Sequence, residues 1–90
     1  MKQRKISAQM IEELYDTLLS LQTQEDCKAF FADLCTDKEI DQMAQRVRAA
    51  RLLKEGKTYA EIIEETDISS ATLSRVSRSL QYGDGYRKFL

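Results

Sequence analysis

At five points in this chain a Ser or Thr precedes a segment whose apolar residues recur with the period of an α-helix. No proline interrupts any of these segments. The candidate helix caps are Ser7, Thr23, Thr36, Thr58 and Ser69. Three of them, the threonines, are followed three positions later by an acidic residue, which is the spacing of a capping box. Because no segment alternates with the period of a β-strand, this pattern predicts an all-α fold built from short helices.

Apolar stripes behind the first three caps predict three successive helices. The first ends near Gln22, the second buries a face that runs from Cys27 to Leu34, and the longer third ends at Gly56. The core positions predicted for the first and third helices are Ile11, Leu14, Leu18 and Leu21, then Ile40, Met43, Ala44, Val47, Leu52 and Leu53. The exposed side of the third helix is basic, and a solvated surface explains that charge as well as a functional one does.

The length of 90 residues predicts one domain, 1–90, and a core small enough to benefit from sharing with a second copy of the chain. No apolar run approaches the roughly 18 residues of a membrane span, and the start MKQRKIS lacks the apolar segment of a signal peptide, so we expect a cytoplasmic protein with no membrane partner. Cys27 and Cys35 are predicted to be buried free thiols. Since the chain has no His, we expect no metal site.

A break between two short helices predicts a helix-turn-helix at about residues 58–80. Thr58 and Glu61 open the first helix, Asp67-Ile68-Ser69 interrupts it, and the second helix runs from Ser70 to Leu80. The residues expected to pack between the two helices are Leu73, Val76 and Leu80 against Ile62, Ile63 and Ile68.

The outer face of this second helix has the composition of a DNA-contacting surface. Its small and basic residues are Ser70, Ala71, Thr72, Ser74, Arg75 and Arg78. Small hydroxyl side chains permit close approach to base edges, and arginines pair with phosphates. No Asp or Glu occurs from Ile68 to Gly83, and residues 44–90 carry a net charge of +3 although the whole chain carries −1. The sequence therefore predicts double-stranded DNA as a partner.

Residues 36–80, TDKEIDQMAQRVRAARLLKEGKTYAEIIEETDISSATLSRVSRSL, resemble the Trp repressor superfamily and in particular its YerC/YecD branch. The motifs that carry the resemblance are RVR at 46–48, LL-x-x-G at 52–56, AT-L-SR at 71–75 and the YGDGY turn at 82–86. The resemblance implies an intertwined helical homodimer with two helix-turn-helix units on one side. Two recognition helices about 34 Å apart would then read a two-fold symmetric operator.

The resemblance also implies a place for a small-molecule effector. In the Trp repressor a tryptophan lies between two arginines, and the matching positions here are Arg46 and Arg75. Val76 replaces the glycine that makes room for the indole ring, which argues against tryptophan and leaves the effector unknown. Ala60 and Ile63 replace polar or basic positions of the repressor, which removes phosphate contacts. Asp67 replaces the usual turn glycine, and an Asp tolerates a left-handed backbone.

The function predicted from the sequence is a homodimeric, DNA-binding transcriptional regulator with no cofactor. Arg75 has two open roles, effector stacking and phosphate contact. The alternative is a dimeric helical interaction protein that has lost DNA binding, which an acidic rim formed by Glu61, Glu64, Glu65 and Asp67 would favour. The sequence offers no catalytic residue, because it lacks His, a phosphate-cradling glycine-rich loop and a nucleophile with a base nearby. We therefore expect that the protein is not an enzyme.

Overall fold

The computed structural model describes residues 6–90. The residues MKQRK, part of the start in which the sequence predicts no signal peptide, lie outside the described range. The helices are α1 (Ala8–Leu19), α2 (Gln24–Leu34), α3 (Asp37–Lys54), α4 (Tyr59–Thr66), α5 (Ser70–Tyr82) and α6 (Gly85–Phe89). No strand occurs in this part of the chain. The predicted all-α fold is thus confirmed, and within residues 6–90 no helix is both long and apolar enough to span a bilayer.

All five predicted caps begin a helix. The hydroxyls of Ser7, Thr23, Thr36, Thr58 and Ser69 each accept a hydrogen bond from the backbone N–H three residues on. The box at Thr36 is complete, because Glu39 in turn accepts the N–H of Thr36 at 2.9 Å. At α2 the Asp26 carboxylate accepts the N–H of Gln22 at 3.0 Å, and not that of the cap residue Thr23. Each cap satisfies backbone donors that the first turn of a helix leaves unpaired.

Two of these capping carboxylates connect stability to pH. The N–H of Gln22 holds the pKa of Asp26 below its usual range, and the N–H of Thr36 does the same for Glu39. A lowered folded-state pKa stabilises the fold above the ordinary carboxyl pKa, and this stabilisation is lost as pH falls through the lowered value. We expect stability to fall less steeply with acid in an Asp26→Asn, Glu39→Gln double variant than in the wild type, measured as urea midpoints at a series of pH values. Parallel curves for the two proteins would contradict the assignment.

Helix boundaries differ from the prediction at two places. Helix α1 ends at Leu19 rather than near Gln22, so Leu21 lies in the connection to α2. The N–H of Gln22 donates to the Asp26 carboxylate, so Gln22 takes part in the capped start of α2 and not in α1. Helix α5 continues to Tyr82, and the C-terminal segment forms the short helix α6.

The chain divides into two compact units at the junction of Cys35 and Thr36. In the first unit, none of the residues of α1 or α2 is buried. Met10 is 53% exposed and Leu19 is 82% exposed. The prediction of buried thiols is wrong for Cys27, which is free and exposed, while Cys35 is free and half-buried. Two short helices do not enclose a core by themselves. Whether the two units form the single domain predicted for residues 1–90 depends on how they assemble, so that domain stays a prediction.

The second unit, from Thr36 onward, holds the buried apolar core. Its fully enclosed members are Ala49, Ala50 and Leu52 from α3, Ile62 from α4, Ile68 from the turn, and Leu73 and Val76 from α5. The packing of α5 on Ile62 and Ile68 confirms the predicted interior, although Leu80 and Ile63 are only half-buried. The predicted face of α3 is wrong at Ala44 and Val47, which are exposed. Ala49 and Ala50 replace them in the core, since small side chains allow α4 and α5 to pack closely on α3.

Glycines end two of the helices that build this unit. Gly56 follows α3 with a φ of +85°, and the N–H groups of Gly56 and Lys57 bond to the carbonyls of Leu53 and Leu52 at 3.0 and 3.1 Å. These are the two bonds of a Schellman motif, and they confirm Gly56 as the stop. Gly83 ends α5, where a Cβ atom would lie 2.7 Å from the carbonyl oxygen of Ser79.

Asp67, in the turn between α4 and α5, has φ 61° and ψ 19°, the left-handed conformation that the sequence predicts. A branched side chain is strained there, so we expect Asp67→Val to lower the free energy of unfolding by about 1–2 kcal/mol. Asp67→Gly is the matched variant, because glycine adopts this backbone without steric cost. Urea denaturation compares the two, and equal stability of the Val and Gly variants would show that the turn backbone rearranges.

Candidate nucleic-acid interface

Two polar contacts hold α4 against α3. The Gln45 amide donates to the carbonyl of Thr66 at 3.1 Å, at the last residue of α4. The Arg48 guanidinium donates to the Glu65 carboxylate at 2.7 Å, and both side chains are about half exposed. Exposed ion pairs of this kind contribute little stability, so the apolar core carries most of the packing energy. Of the five arginines and lysines on α3, Arg48 thus has a partner within the chain.

The first residues of α5, which follow the turn, face solvent. The Ser69 hydroxyl accepts the N–H of Thr72 at 3.1 Å and donates to the Thr72 hydroxyl at 2.9 Å. Ser70, Ala71 and Ser74 are exposed, and the first turn has no acidic residue. On the other side of the turn, the N–H of Ile68 donates to the Thr66 hydroxyl at 3.3 Å. This end of α5 is therefore fixed by the turn and by Leu73 beneath it, while its small side chains are accessible.

The six residues predicted to contact DNA do not share one face of α5. Thr72 and Arg75 line a depression that also contains Arg46, whereas Ser74 and Arg78 line a second depression with Tyr59. Arg75 and Arg78 both line a third depression, which lies beside Tyr82. The predicted set therefore wraps around the exposed half of the helix, because positions three and four apart repeat on each side of it.

The first depression, which we call the Arg46 cleft, has a volume of about 290 Å³. It is lined by Arg46 of α3, Thr72, Arg75, Val76 and Ser79 of α5, and Tyr86 of α6. The two arginines that the sequence pairs as effector contacts are thus brought to one cleft. Val76 lies in its wall with 2% of its surface exposed. The cleft has three hydroxyl groups and two guanidinium groups, with no carboxylate among the lining side chains, which suits an anionic ligand.

Sequence reasoning missed Ser79 and Tyr86 of this cleft. Tyr86 packs partly against the apolar core and reaches the cleft from α6. Its position depends on Gly83 and Asp84, which turn the chain back after α5. The Arg87 guanidinium stabilises that turn by donating to the Gly83 carbonyl at 2.8 Å and to Asp84 at 3.2 Å. The sequence indicated the YGDGY turn, but it did not indicate that this turn places Tyr86 at the Arg46 cleft.

The second depression, which we call the Tyr59 face, is shallow and open. It is lined by Tyr59 of α4 and by Ser74, Ser77, Arg78, Gln81 and Tyr82 of α5. The α5 residues are spaced three and four apart and so form one stripe of the helix. Of the six, only Ser74 and Arg78 were predicted as site residues. The signal for the others was the same spacing continued toward the C-terminal end of α5.

The acidic residues of α4 and the turn lie outside these depressions. Glu61, Glu64, Glu65 and Asp67 are exposed, but none of them lines the Arg46 cleft, the Tyr59 face or the depression beside Tyr82. Glu65 is paired with Arg48, and the Glu61 carboxylate accepts the Thr58 hydroxyl at 3.2 Å. The exposed faces of α5 are consequently lined by hydroxyl, amide and guanidinium groups.

The model of the family described as Trp repressor protein matches residues 9–90. A relative from Bacillus subtilis (strain 168), described as "Uncharacterized protein YerC", is 47% identical over 87 residues. That match covers 96% of this chain and 84% of the relative.

Two solved structures share the fold. A TrpR-like protein from Eubacterium eligens ATCC 27750 matches with a TM-score of 0.88 and 44% identity, over 93% of this chain and 88% of that one. A Staphylococcus aureus protein described as a candidate Trp repressor matches with a TM-score of 0.86 and 44% identity, over 97% of this chain and 88% of that one.

Proposed function

The chain belongs to the Trp repressor family, and from this premise we propose that it is a sequence-specific DNA-binding transcriptional regulator that acts as a homodimer. The proposed DNA-binding unit is a helix-turn-helix made of α4, the turn at Asp67–Ser69, and α5. The observation that carries the proposal is the outer surface of α5, which is accessible and free of acidic residues along its length.

In this proposal the first turns of α5 enter the major groove. Ser70, Ala71 and Ser74 are small enough for the helix backbone to approach base edges, and the serine hydroxyls both donate and accept hydrogen bonds there. Thr72 lies beside them on the flank toward the Arg46 cleft. Arg75 and Arg78 follow farther along α5, where guanidinium groups pair with phosphates. Bases would thus be read near the turn, and the backbone would be held toward the other end.

The exposed apolar residues of the first unit support the homodimer. Met10, Leu14, Leu19 and Leu34 are each more than a third exposed, and no residue of α1 or α2 is buried. Helices of 12 and 11 residues are marginal in water unless an apolar face is packed. A second copy of the chain supplies such a surface by two-fold symmetry. Sedimentation equilibrium should then give twice the chain mass of 10.4 kDa, and a concentration-independent monomer would contradict the dimer.

We further propose that the Arg46 cleft is the effector site and that it rejects tryptophan. Arg46 and Arg75 offer positive charge to an anionic ligand, whereas Val76 and Tyr86 line the same cleft, and Val76 fills space that a glycine would leave open to an indole ring. Arg75 would serve the ligand and the nearby phosphate from one position between two depressions.

Added tryptophan is therefore expected to leave both the melting temperature and the DNA affinity unchanged. A ligand bound at a hundred times its Kd would stabilise the fold by about 2.7 kcal/mol, which a thermal melt detects readily. Val76→Gly tests whether Val76 is what excludes tryptophan, because the change removes the two methyl groups of Val76 from the cleft. A rise in melting temperature of the wild type with tryptophan would contradict the proposal.

Binding to duplex DNA at low salt tests the function itself. Fluorescence anisotropy with a labelled duplex of random sequence should show binding that weakens as salt is raised, since cationic side chains displace counterions from phosphates. The alternative function, a dimeric interaction protein without DNA binding, predicts no anisotropy change at any salt concentration. The proposal assigns no catalytic activity to the chain, in keeping with a family of regulators.

A further inference from the structure

We propose that the Tyr59 face binds the phosphodiester backbone of DNA mainly through uncharged hydrogen-bond donors, with Arg78 as its only cation. The inference rests on the proposed function and adds to it a second contact surface and a mechanism of attachment. The residues that carry it are Tyr59, Ser77, Gln81 and Tyr82, of which none was expected from the sequence to contact DNA.

The geometry joins two elements at one place. Tyr59 is the first residue of α4, and the remaining residues come from the middle and the C-terminal end of α5. Tyr59 is 41% exposed and Tyr82 is 78% exposed. Among residues 6–90, neither phenol hydroxyl has a hydrogen-bond partner within the chain. The two tyrosines therefore line, with free hydroxyls, a depression that serine, glutamine and arginine side chains also line.

The chemistry of the lining favours an anion that offers several acceptor oxygens. Each of the six residues has at least one N–H or O–H donor, and none has a carboxylate. Phosphate oxygens accept hydrogen bonds from Ser, Gln, Tyr and Arg in protein–DNA complexes. A flat, open surface suits a strand that passes over it better than a small ligand, which needs an enclosed pocket.

Continuity with the recognition surface identifies the occupant as DNA. Ser74 belongs both to the Tyr59 face and to the part of α5 that we place in the major groove. When a helix lies in that groove, the backbone strands that border the groove pass along its flanks. A strand on this flank would cross Ser77, Arg78 and Gln81 on α5 and reach Tyr59 on α4.

Uncharged donors also fit the charge of the protein. The chain has a net charge of −1, whereas DNA-binding domains are commonly basic. The salt dependence of DNA binding counts the cations that replace counterions, with a slope of about 0.9 per neutralised phosphate. Tyrosine hydroxyls contribute affinity without adding to that slope. The Tyr59 face thus adds phosphate contacts to those proposed for Arg75 and Arg78 without adding to the positive charge of the chain.

The test compares three variants and one control variant of the 90-residue chain on one labelled duplex across a salt series. Tyr59→Phe and Tyr82→Phe remove only the hydroxyls, and each is expected to weaken binding roughly three- to tenfold with an unchanged salt slope. Arg78→Ala is expected to weaken binding and to lower the slope by about one. Tyr15→Phe removes an exposed hydroxyl from α1 and is the matched control, with wild-type affinity expected.

The outcomes separate this inference from the function on which it rests. If the wild type binds DNA and both Tyr→Phe variants bind equally well, the Tyr59 face does not contact the backbone, although the regulator proposal stands. A reduced slope in the Tyr→Phe variants would contradict attachment by uncharged donors. If the wild type binds no duplex even at low salt, the proposed function and this inference are both wrong.

Discussion

Replacing Leu73 by alanine is expected to lower the free energy of unfolding by about 2–5 kcal/mol, the largest stability effect that we predict for this chain. Leu73 is fully buried, and it lies on the inner side of α5 against Ile62 and the alanines of α3. Truncation removes apolar contacts and leaves a cavity, which neighbouring side chains fill only in part. Since the same contacts hold α5 in place, DNA affinity should fall together with stability.

Urea denaturation at a fixed protein concentration measures the change, and the concentration is fixed because the stability of a dimer depends on it. Leu80→Ala is the matched control, since Leu80 lies two turns farther along the same helix but is only half-buried. We expect the control to lose clearly less stability. Equal losses for the two variants would contradict the placement of Leu73 at the centre of the core.

Replacing Ser74 by glutamate is expected to weaken DNA binding about a hundredfold, because a carboxylate would be placed against phosphates at the surface that α5 presents to the groove. Ser74 is exposed, and it is the residue shared by the proposed base-reading surface and the Tyr59 face. Its neighbours in the depression carry no negative charge at present. The fold should not change, since the side chain points away from the core.

The control for this variant carries the same change in net charge at another place. Gln24→Glu adds one carboxylate at the exposed first position of α2, where a negative charge suits the helix N-terminus. Anisotropy titrations of both variants, with circular dichroism to establish folding, distinguish local repulsion from a general effect of charge. If Gln24→Glu weakened binding as much as Ser74→Glu, the surface of α5 would not be the place of contact.

Local chemistry explains why the helices could be predicted from the sequence. Each hydroxyl cap bonds to a backbone N–H only three residues away, and the stop at Gly56 uses bonds within the same turn. The left-handed backbone of Asp67 could likewise be predicted, because it depends on the residue type at that position. Such signals depend on neighbours in the chain and not on tertiary packing, so they can be read without a structure.

Burial was harder to predict because it depends on what each helix packs against. The periodicity of α1 and α2 indicates apolar faces, yet a single chain covers these faces only in part and buries none of their residues. On α3, bulky Val47 is exposed while Ala49 and Ala50 are enclosed, since the close approach of two other helices selects small residues. The division of the α5 site into the Arg46 cleft and the Tyr59 face depends on α6 and α4, whose placement no pattern within α5 specifies.

The measurement that tests the proposed regulator most directly is selection of bound sequences from a randomised pool of duplexes at low salt, followed by sequencing. A dimer with two copies of α5 predicts enrichment of a two-fold symmetric motif with half-sites one helical turn, about 34 Å, apart. Ser74→Glu should enrich nothing in the same selection. An unenriched pool with the wild-type protein would contradict sequence-specific DNA binding and favour an interaction protein built on the same dimeric scaffold.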